Sequence, residues 1–429
     1  MDRRSFTSEI SLFALARMLP APGKKSAWTE WVAEPSTDDY WKKIRGEFLV
    51  PDDVAYLNNG TLGLSPRPVI EAMYRHLLET ESVKTRKYPE YPWWGYGATL
   101  AIREALGNFI SAAADEIALT RNATEAMNTV ATGLDLNPGD EVLMSNQEHP
   151  GGRSAWYQRA KRYGIVVREF QIPLPPQSGV EILEKVQAAV TPKTRVISVS
   201  HITTVTGGIL PVKEISSLAR ARGIITLIDG AHAIGQIPLD MHEIGCDYYA
   251  SSPHKWLYAP KGTGLLYCRK GMAERLWSHT AAGTWDQAKL GCERLTNVGT
   301  SNLTLLMGLM AAIDFHKKIG GARIFGRERQ LTEMLRSRLA EIRGVWFGNG
   351  QPPELSAAMV KAMLPVQKIE AFARKLWEEH KIWVVAGDGP DKLPASMRFS
   401  CPIYVTENDL NRTIDLLKRH LAGNTVSSV

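Results

Sequence analysis

The chain of 429 residues is poor in cysteine. It has four, Cys246, Cys268, Cys292 and Cys401, and no CxxC pair. That spacing suggests neither a zinc site nor a disulfide framework. No apolar run is long enough to span a bilayer. No GxGxxG follows the first strand-like segment, which argues against a doubly wound nicotinamide dehydrogenase. Charge of one sign is scarce as well. Lys and Arg total 51 against 45 Asp and Glu. The small excess is spread through mixed-sign segments, as on a solvated surface rather than a nucleic-acid site. Nothing reads as a helix-turn-helix extension, so a regulatory nucleic-acid-binding role has no support.

What is present is ordinary globular material. Hydrophobic residues make up 44% of the chain, enough for a large core and two domains at this length. The chain is organised around Leu227 to Lys261. The apolar run Ile224-Ile225-Thr226-Leu227-Ile228 ends in Asp229, and Tyr248-Tyr249-Ala250 ends in Ser251-Ser252-Pro253-His254-Lys255. Both read as buried strands that deliver polar groups at their C-terminal ends. Open α/β sheets bind ligands along that edge. An Asp and a Lys brought there together suit pyridoxal phosphate (PLP). This cofactor needs a Lys for its Schiff base and an acid beside its pyridine nitrogen.

Helical and strand patterns alternate on both sides of this stretch. Trp28 to Phe48 reads as an amphipathic helix, and Val54 to Leu57 as a short strand before Asn58-Asn59-Gly60-Thr61-Leu62-Gly63. Thr99 to Ile110 reads as a helix with Leu100, Leu106 and Ile110 on one stripe. Tyr88 to Tyr96 packs five aromatics between prolines and a glycine, which excludes a regular helix. So many aromatics are expected to face a cleft or a partner. Ile117 to Thr120 leads into Arg121-Asn122-Ala123-Thr124-Glu125, the start of a helix. Such a start suits a phosphate, though Asn122 or Thr124 equally suits a plain cap. Leu265 to Cys268 reads as an antiparallel strand at the sheet edge. From Arg323 onward the pattern changes to that of a smaller α+β unit.

Asp229-Gly230-Ala231-His232, followed by Ser252-Pro253-His254-Lys255, resembles the class V aminotransferase family of PLP-dependent enzymes. This family includes the cysteine desulfurases and isopenicillin N epimerase. The resemblance runs from about Tyr56 to Asp415. It implies an α/β fold, the PLP-dependent transferase fold type I. The large domain then holds a mixed, mostly parallel seven-stranded sheet flanked by helices, beside a smaller α+β C-terminal domain. The expected parts are a signal or tail over 1–25, a segment packing with the small domain over 26–55, the large PLP-binding domain over 56–312 and the small domain over 313–423. Lys255 is expected to carry the cofactor and Asp229 to face the ring nitrogen. His149, in Glu148-His149, is expected to stack on the ring. Ala123, Thr124, Ser252 and His254 are expected at the phosphate, and His232 beside the ring hydroxyl, where many relatives have Gln. Thr204 stands where the family often has Asn. In Asn297-Val298-Gly299-Thr300, the family's pattern sends Thr300 to the phosphate of a neighbouring subunit, which implies a homodimer with shared sites. Arg398, in Arg398-Phe399-Ser400, is expected to clamp an amino-acid carboxylate, with Asn59 and Gly60 lining the substrate side.

PLP motifs do not separate the outcomes of a carbanion at Cα. Epimerisation of the isopenicillin N epimerase kind leads. A β-lyase of the C–S lyase kind, an aminotransferase and a non-catalytic PLP-fold binding protein are the alternatives. Desulfurases carry a nucleophilic Cys in a loop before the carboxylate Arg, and no Cys lies between Cys292 and Cys401. No metal, nucleic-acid partner or stable membrane insertion is expected. Arg3-Arg4-Ser5-Phe6 resembles a twin-arginine export signal. The stretch after it is only patchily apolar and is broken by Arg17. The expected location is therefore the cytoplasm, or the periplasm if that signal works.

Overall fold

The computed structural model describes residues 28–32, 34–82, 98–349, 353–366, 368–387 and 395–424. The Arg3-Arg4 segment and the aromatic run Tyr88 to Tyr96 lie outside the described residues. A seven-stranded sheet forms the centre. Its strands are β2 (Ile117–Thr120), β3 (Glu141–Ser145), β4 (Val166–Phe170), β5 (Thr194–Ser200), β6 (Ile225–Asp229), β7 (Tyr248–Ser251) and β8 (Gly264–Cys268). Their order is β2-β8-β7-β6-β5-β3-β4. Pairing is parallel from β4 through β7, and β8 alone runs against its neighbours. Residues of β3, β5, β6 and β7 are buried nearly throughout. That explains their continuous apolar runs, since both sheet faces are covered by helices. The parallel strands end together, so Ser145, Ser200, Asp229 and Ser251 arrive along one edge.

β8 does not lie at the edge as its sequence position suggested. β2 pairs beyond it, Ile117 opposite Tyr267 and Thr120 opposite Gly264. A strand far away in sequence closes the edge, and no local pattern announces such a pairing. The helix Ala98–Ile110 buries Ile102, Leu106 and Ile110, whereas Leu100 is 49% exposed. The true stripe follows i, i+4, i+8, and Leu100 lies off it.

A second core joins the start of the chain to its end. Tyr40, Trp41, Ile44 and Phe48 pack with Leu331, Leu335, Phe399, Tyr404 and Leu417. Trp28 to Phe48 is broken into a short helix, Trp28–Trp31, and a longer one, Asp38–Gly46. Thr37 caps the second, accepting from Tyr40 N. β1 (Ala55–Tyr56) pairs in parallel with β11 (Ile382–Trp383). A four-stranded antiparallel sheet, β12-β13-β10-β9, completes this part. It contains β9 (Trp346–Phe347), β10 (Met359–Met363), β12 (Val385–Gly387) and β13 (Ser396–Ser400). Arg45 donates to Asp409 Oδ2 at 2.9 Å and to Tyr404 O at 2.6 Å, both buried. Removing one partner of such a buried pair costs about 3–5 kcal/mol.

The turn after β1 meets the lysine loop at close quarters. Gly63 N donates to His254 O at 3.2 Å. A Cβ on Gly63 would stand 2.1 Å from Lys255 O and 2.7 Å from His254 O, both backbone atoms. Gly63→Ala is therefore expected to destabilise the chain by about 2 kcal/mol or more, as overpacking against rigid neighbours does. Thermal unfolding checks this. An unchanged midpoint would show that the two loops separate freely.

Candidate active site

β6 delivers Asp229 to the sheet edge, and the chain then turns sharply. Gly230 N donates to Ala250 O at 2.7 Å, and Ala231 N donates to Asp229 Oδ1 at 3.0 Å. A Cβ on Gly230 would fall 1.9 Å from a Tyr249 ring carbon, so only glycine fits beside that strand. Among the described residues, no other hydrogen bond reaches the Asp229 carboxylate, which leaves Oδ2 to the cavity in front of it. β7 ends at Ser251, whose hydroxyl donates to Gly230 O at 2.8 Å. Four residues on, Lys255 enters the same cavity, of about 260 Å³. Desolvation lowers the amine's pKa to about 8; Asp229 opposes that shift and Arg398 adds to it.

Lys255 Nζ lies 3.1 Å from His232 Nε2. On the other side of that ring, Trp256 Nε1 donates to His232 Nδ1 at 3.3 Å. His232 is buried and its pKa is held well below the usual histidine value, first by desolvation and then by Lys255. His149 lines the cavity and caps the helix Pro150–Tyr163, its Nδ1 accepting from Gly151 N at 2.9 Å. Sequence reasoning gave its neighbour Glu148 no role. Glu148 is buried behind the cavity. Ser145 donates to Oε1 and Ser200 to Oε2, the latter at 2.6 Å. Burial raises its pKa to about 7, the serine hydrogen bonds work against that, and Asp229 adds to it. The ends of β3 and β5 are thereby tied together through Glu148.

The helix Ala123–Gly133 opens at the cavity's other end. Asn122 is its cap, accepting from Glu125 N at 2.9 Å. The cap thus falls to Asn122, and Thr124 is left to line the cavity. Ala123 N donates to Ser252 Oγ at 2.9 Å, so that N–H is already used. Ala123 lines the cavity, with its N–H turned to Ser252. Thr124, Ser252 and His254 line the same end. His254 Nδ1 donates to Thr263 O at 3.1 Å, which leaves Nε2 for a ligand.

Asn59 and Gly60 do not line the cavity. Asn59 is fully buried, donating to Lys255 O at 3.3 Å and accepting from Tyr404 OH at 3.0 Å. Gly60 N donates to Ser400 Oγ at 3.0 Å. Asn59 braces the lysine loop against the small unit, and Gly60 ties its own turn to Ser400 of β13. The residue that faces the cavity is the next one, Thr61. Arg398, on β13, donates to Thr61 Oγ1 at 2.6 Å and to Thr204 O and Oγ1 at 3.0 Å each. Thr204 thus serves the guanidinium as well as the cavity wall. Arg398 Nε is buried without a partner, and burial lowers the guanidinium pKa to about 10. Thr300 lies apart from Lys255. It is exposed and lines a neighbouring cleft of about 670 Å³, which shares Asn122 with the lysine cavity.

The donor set fits PLP by its chemistry. One cavity holds a lysine amine of lowered pKa, an open carboxylate oxygen and a helix start flanked by a hydroxyl and an imidazole. Comparisons with known proteins agree. The chain is 35% identical to isopenicillin N epimerase of Streptomyces clavuligerus over 396 residues, 88% of this chain and 97% of that one. It is 29% identical to a probable cysteine desulfurase of Pyrococcus abyssi, covering 80% of this chain and 86% of that one. Among solved structures it matches C-DES with glycine covalently linked to PLP, at TM-score 0.76 and 26% identity, covering 87% of this chain and 98% of that one. The profile of the class V aminotransferases matches residues 55–413. The chain is therefore a PLP-dependent enzyme of the class V aminotransferase family, with the type I fold that the sequence led one to expect.

Proposed function

We propose that this enzyme epimerises an amino acid at Cα, as its similarity to isopenicillin N epimerase suggests, and that it works as a homodimer. The observation that carries the substrate class is Arg398. Among the described residues its guanidinium meets no carboxylate, only the neutral oxygens of Thr204, Thr61 and Asn58. A buried charge held only by neutral groups calls for an anion. A carboxylate presented in two-pronged fashion matches guanidinium best.

Bound PLP supplies an electron sink for negative charge at Cα. Asp229 Oδ2 would hold the proton on the ring nitrogen, and Ala231 N fixes the carboxylate's other oxygen. The Lys255 amine, whose pKa lies near 8, would take the Cα proton in its neutral form, and a proton from solvent returned to the opposite face of Cα would complete the epimerisation. Thr124, Ser252 and His254, which line one end of the cavity, would hold the phosphate, and His149 would cover the ring. Arg398 orients the substrate by its carboxylate.

Desulfurase chemistry lacks its nucleophile here. All four cysteines are buried, and desolvation pushes the Cys401 thiol up to about 12. C-DES is a cystine C–S lyase, and the likeness to it makes C–S lyase chemistry the competing outcome. Incubating a panel of amino acids with enzyme in D₂O separates the two. Interconverted enantiomers bearing solvent deuterium at Cα, with no keto acid, are expected. Stoichiometric keto acid with loss of a β-substituent would contradict epimerisation.

Three further outcomes follow from the same geometry. The rate at which PLP attaches to cofactor-free protein should rise with pH to a midpoint near 8, following the Lys255 amine. A midpoint near the ordinary lysine value of about 10.4 would contradict a desolvated amine. Arg398→Lys should lose about 2–3 kcal/mol of amino-acid binding, while matching decarboxylated amines lose little. Equal losses would show that Arg398 does not read the carboxylate. In the proposed homodimer Thr300 would reach the partner's phosphate. Mixed dimers of Lys255→Ala and Thr300→Ala chains should then regain one intact site, and absence of recovery would place Thr300 in cis.

A further inference from the structure

Trp256 follows the lysine directly, yet neither the motif nor the proposed chemistry uses it. Its side chain is fully buried. An indole N–H is a donor only and needs an acceptor once it leaves water. The acceptor it finds is His232 Nδ1, at 3.3 Å. A ring nitrogen that accepts a hydrogen bond carries no proton. A neutral imidazole must then carry its proton on the other nitrogen, Nε2, the atom 3.1 Å from Lys255 Nζ.

We propose that Trp256 is a positioning residue: its indole N–H fixes the proton of His232 on Nε2 and so aims a hydrogen-bond donor at the Lys255 amine. The backbone that carries the ring is held as well. Gln236 Nε2 donates to His232 O at 2.6 Å, and Gln236 Oε1 accepts from Ala358 N at 2.6 Å. A glutamine side chain would present either its oxygen or its amide group to the lysine. A histidine backed by an indole presents a donor alone.

The consequence is a choice between two forms of Lys255. An Nε2–H donor finds a lone pair only on the neutral amine, and it opposes an ammonium group, which has donors alone. His232 therefore favours the form of Lys255 that is nucleophilic and can take a proton. Its own low pKa agrees, since desolvation, Lys255, Arg398, His149 and His254 all disfavour an imidazolium there. The amine is also faced by Asp229 from the end of β6, which raises its pKa, and by Arg398 from β13, which lowers it. Changing Trp256 leaves both in place. Without the indole, His232 is free to move its proton to Nδ1. Nε2 then becomes an acceptor that stabilises the ammonium.

The inference rests on Lys255 being the residue that carries PLP, so two readouts are kept apart. The first is the tautomer of His232 in the full-length protein labelled with [¹⁵N]histidine, assigned by the signal lost in His232→Gln. Long-range ¹H–¹⁵N spectra, recorded with and without PLP, should show a neutral ring protonated at Nε2. A ring protonated at Nδ1, or an imidazolium, overturns the proposal, and this holds whether or not any variant folds. The second is the titration of Lys255 in cofactor-free protein, followed by competitive acylation and peptide mapping. In Trp256→Phe, which keeps the apolar bulk and removes the donor, the midpoint should move up by about one pH unit. An unchanged midpoint in a folded variant, judged by near-ultraviolet circular dichroism, also overturns it. PLP uptake is read separately by absorbance. A wild-type chain that does not attach PLP at Lys255 contradicts the functional reading, whatever the tautomer.

Discussion

A lysine amine kept out of water, within reach of one carboxylate and one guanidinium, is the constraint on which the structure turns. Desolvation brings Lys255 down to about 8, Asp229 draws it up and Arg398 pushes it down. Each effect comes from a different part of the chain. The loop after β7 supplies the amine, the end of β6 the acid, and β13 the guanidinium. Small displacements among the three would change the amine's charge at neutral pH, because charge interactions strengthen as water is excluded. The surrounding architecture holds them in register.

Several contacts do this, and most are polar and buried. Asn59 joins Lys255 O to Tyr404, and Ser400 accepts from Gly60 N. Tyr258, three residues past the lysine, has a left-handed backbone with φ of 59°. Such a conformation costs a bulky residue about 1–3 kcal/mol and persists only where neighbours enforce it. Here the neighbours are Glu328, which accepts from Tyr258 OH at 2.8 Å, and the rings of Phe48 and Tyr404. Burial pushes the Glu328 carboxyl well above the usual carboxylate range. The lysine loop is thus locked onto the second core, which also contains the N-terminal segment.

The parts of the site legible in the sequence are those at ends of regular elements. Asp229, Ser252, His254 and Lys255 follow buried strands, and Thr124 opens a helix, so pattern alone brings them to one edge. Arg398 was placed by its motif, but its setting was not. That Thr61 and Thr204 hold it depends on contacts across more than 190 residues of sequence. Asn59 and Gly60 were misjudged for the same reason. They sit in a turn next to the cavity, and only packing decides that Thr61 faces it instead. Glu148 was in view as part of Glu148-His149, yet its buried hydrogen bonds to Ser145 and Ser200 come from register between β3 and β5. The edge position of β2 and the burial of Ile102 in place of Leu100 were likewise settled by tertiary pairing. Local sequence carries periodicity but not partners.

The central claim is that the convergence of Lys255 and Asp229 is a covalent PLP site. Borohydride reduction of the native enzyme, followed by peptide mapping, tests it most directly. The account predicts one pyridoxyl group, on the peptide containing Lys255. Label on any other lysine, with PLP absorbance intact before reduction, would contradict it.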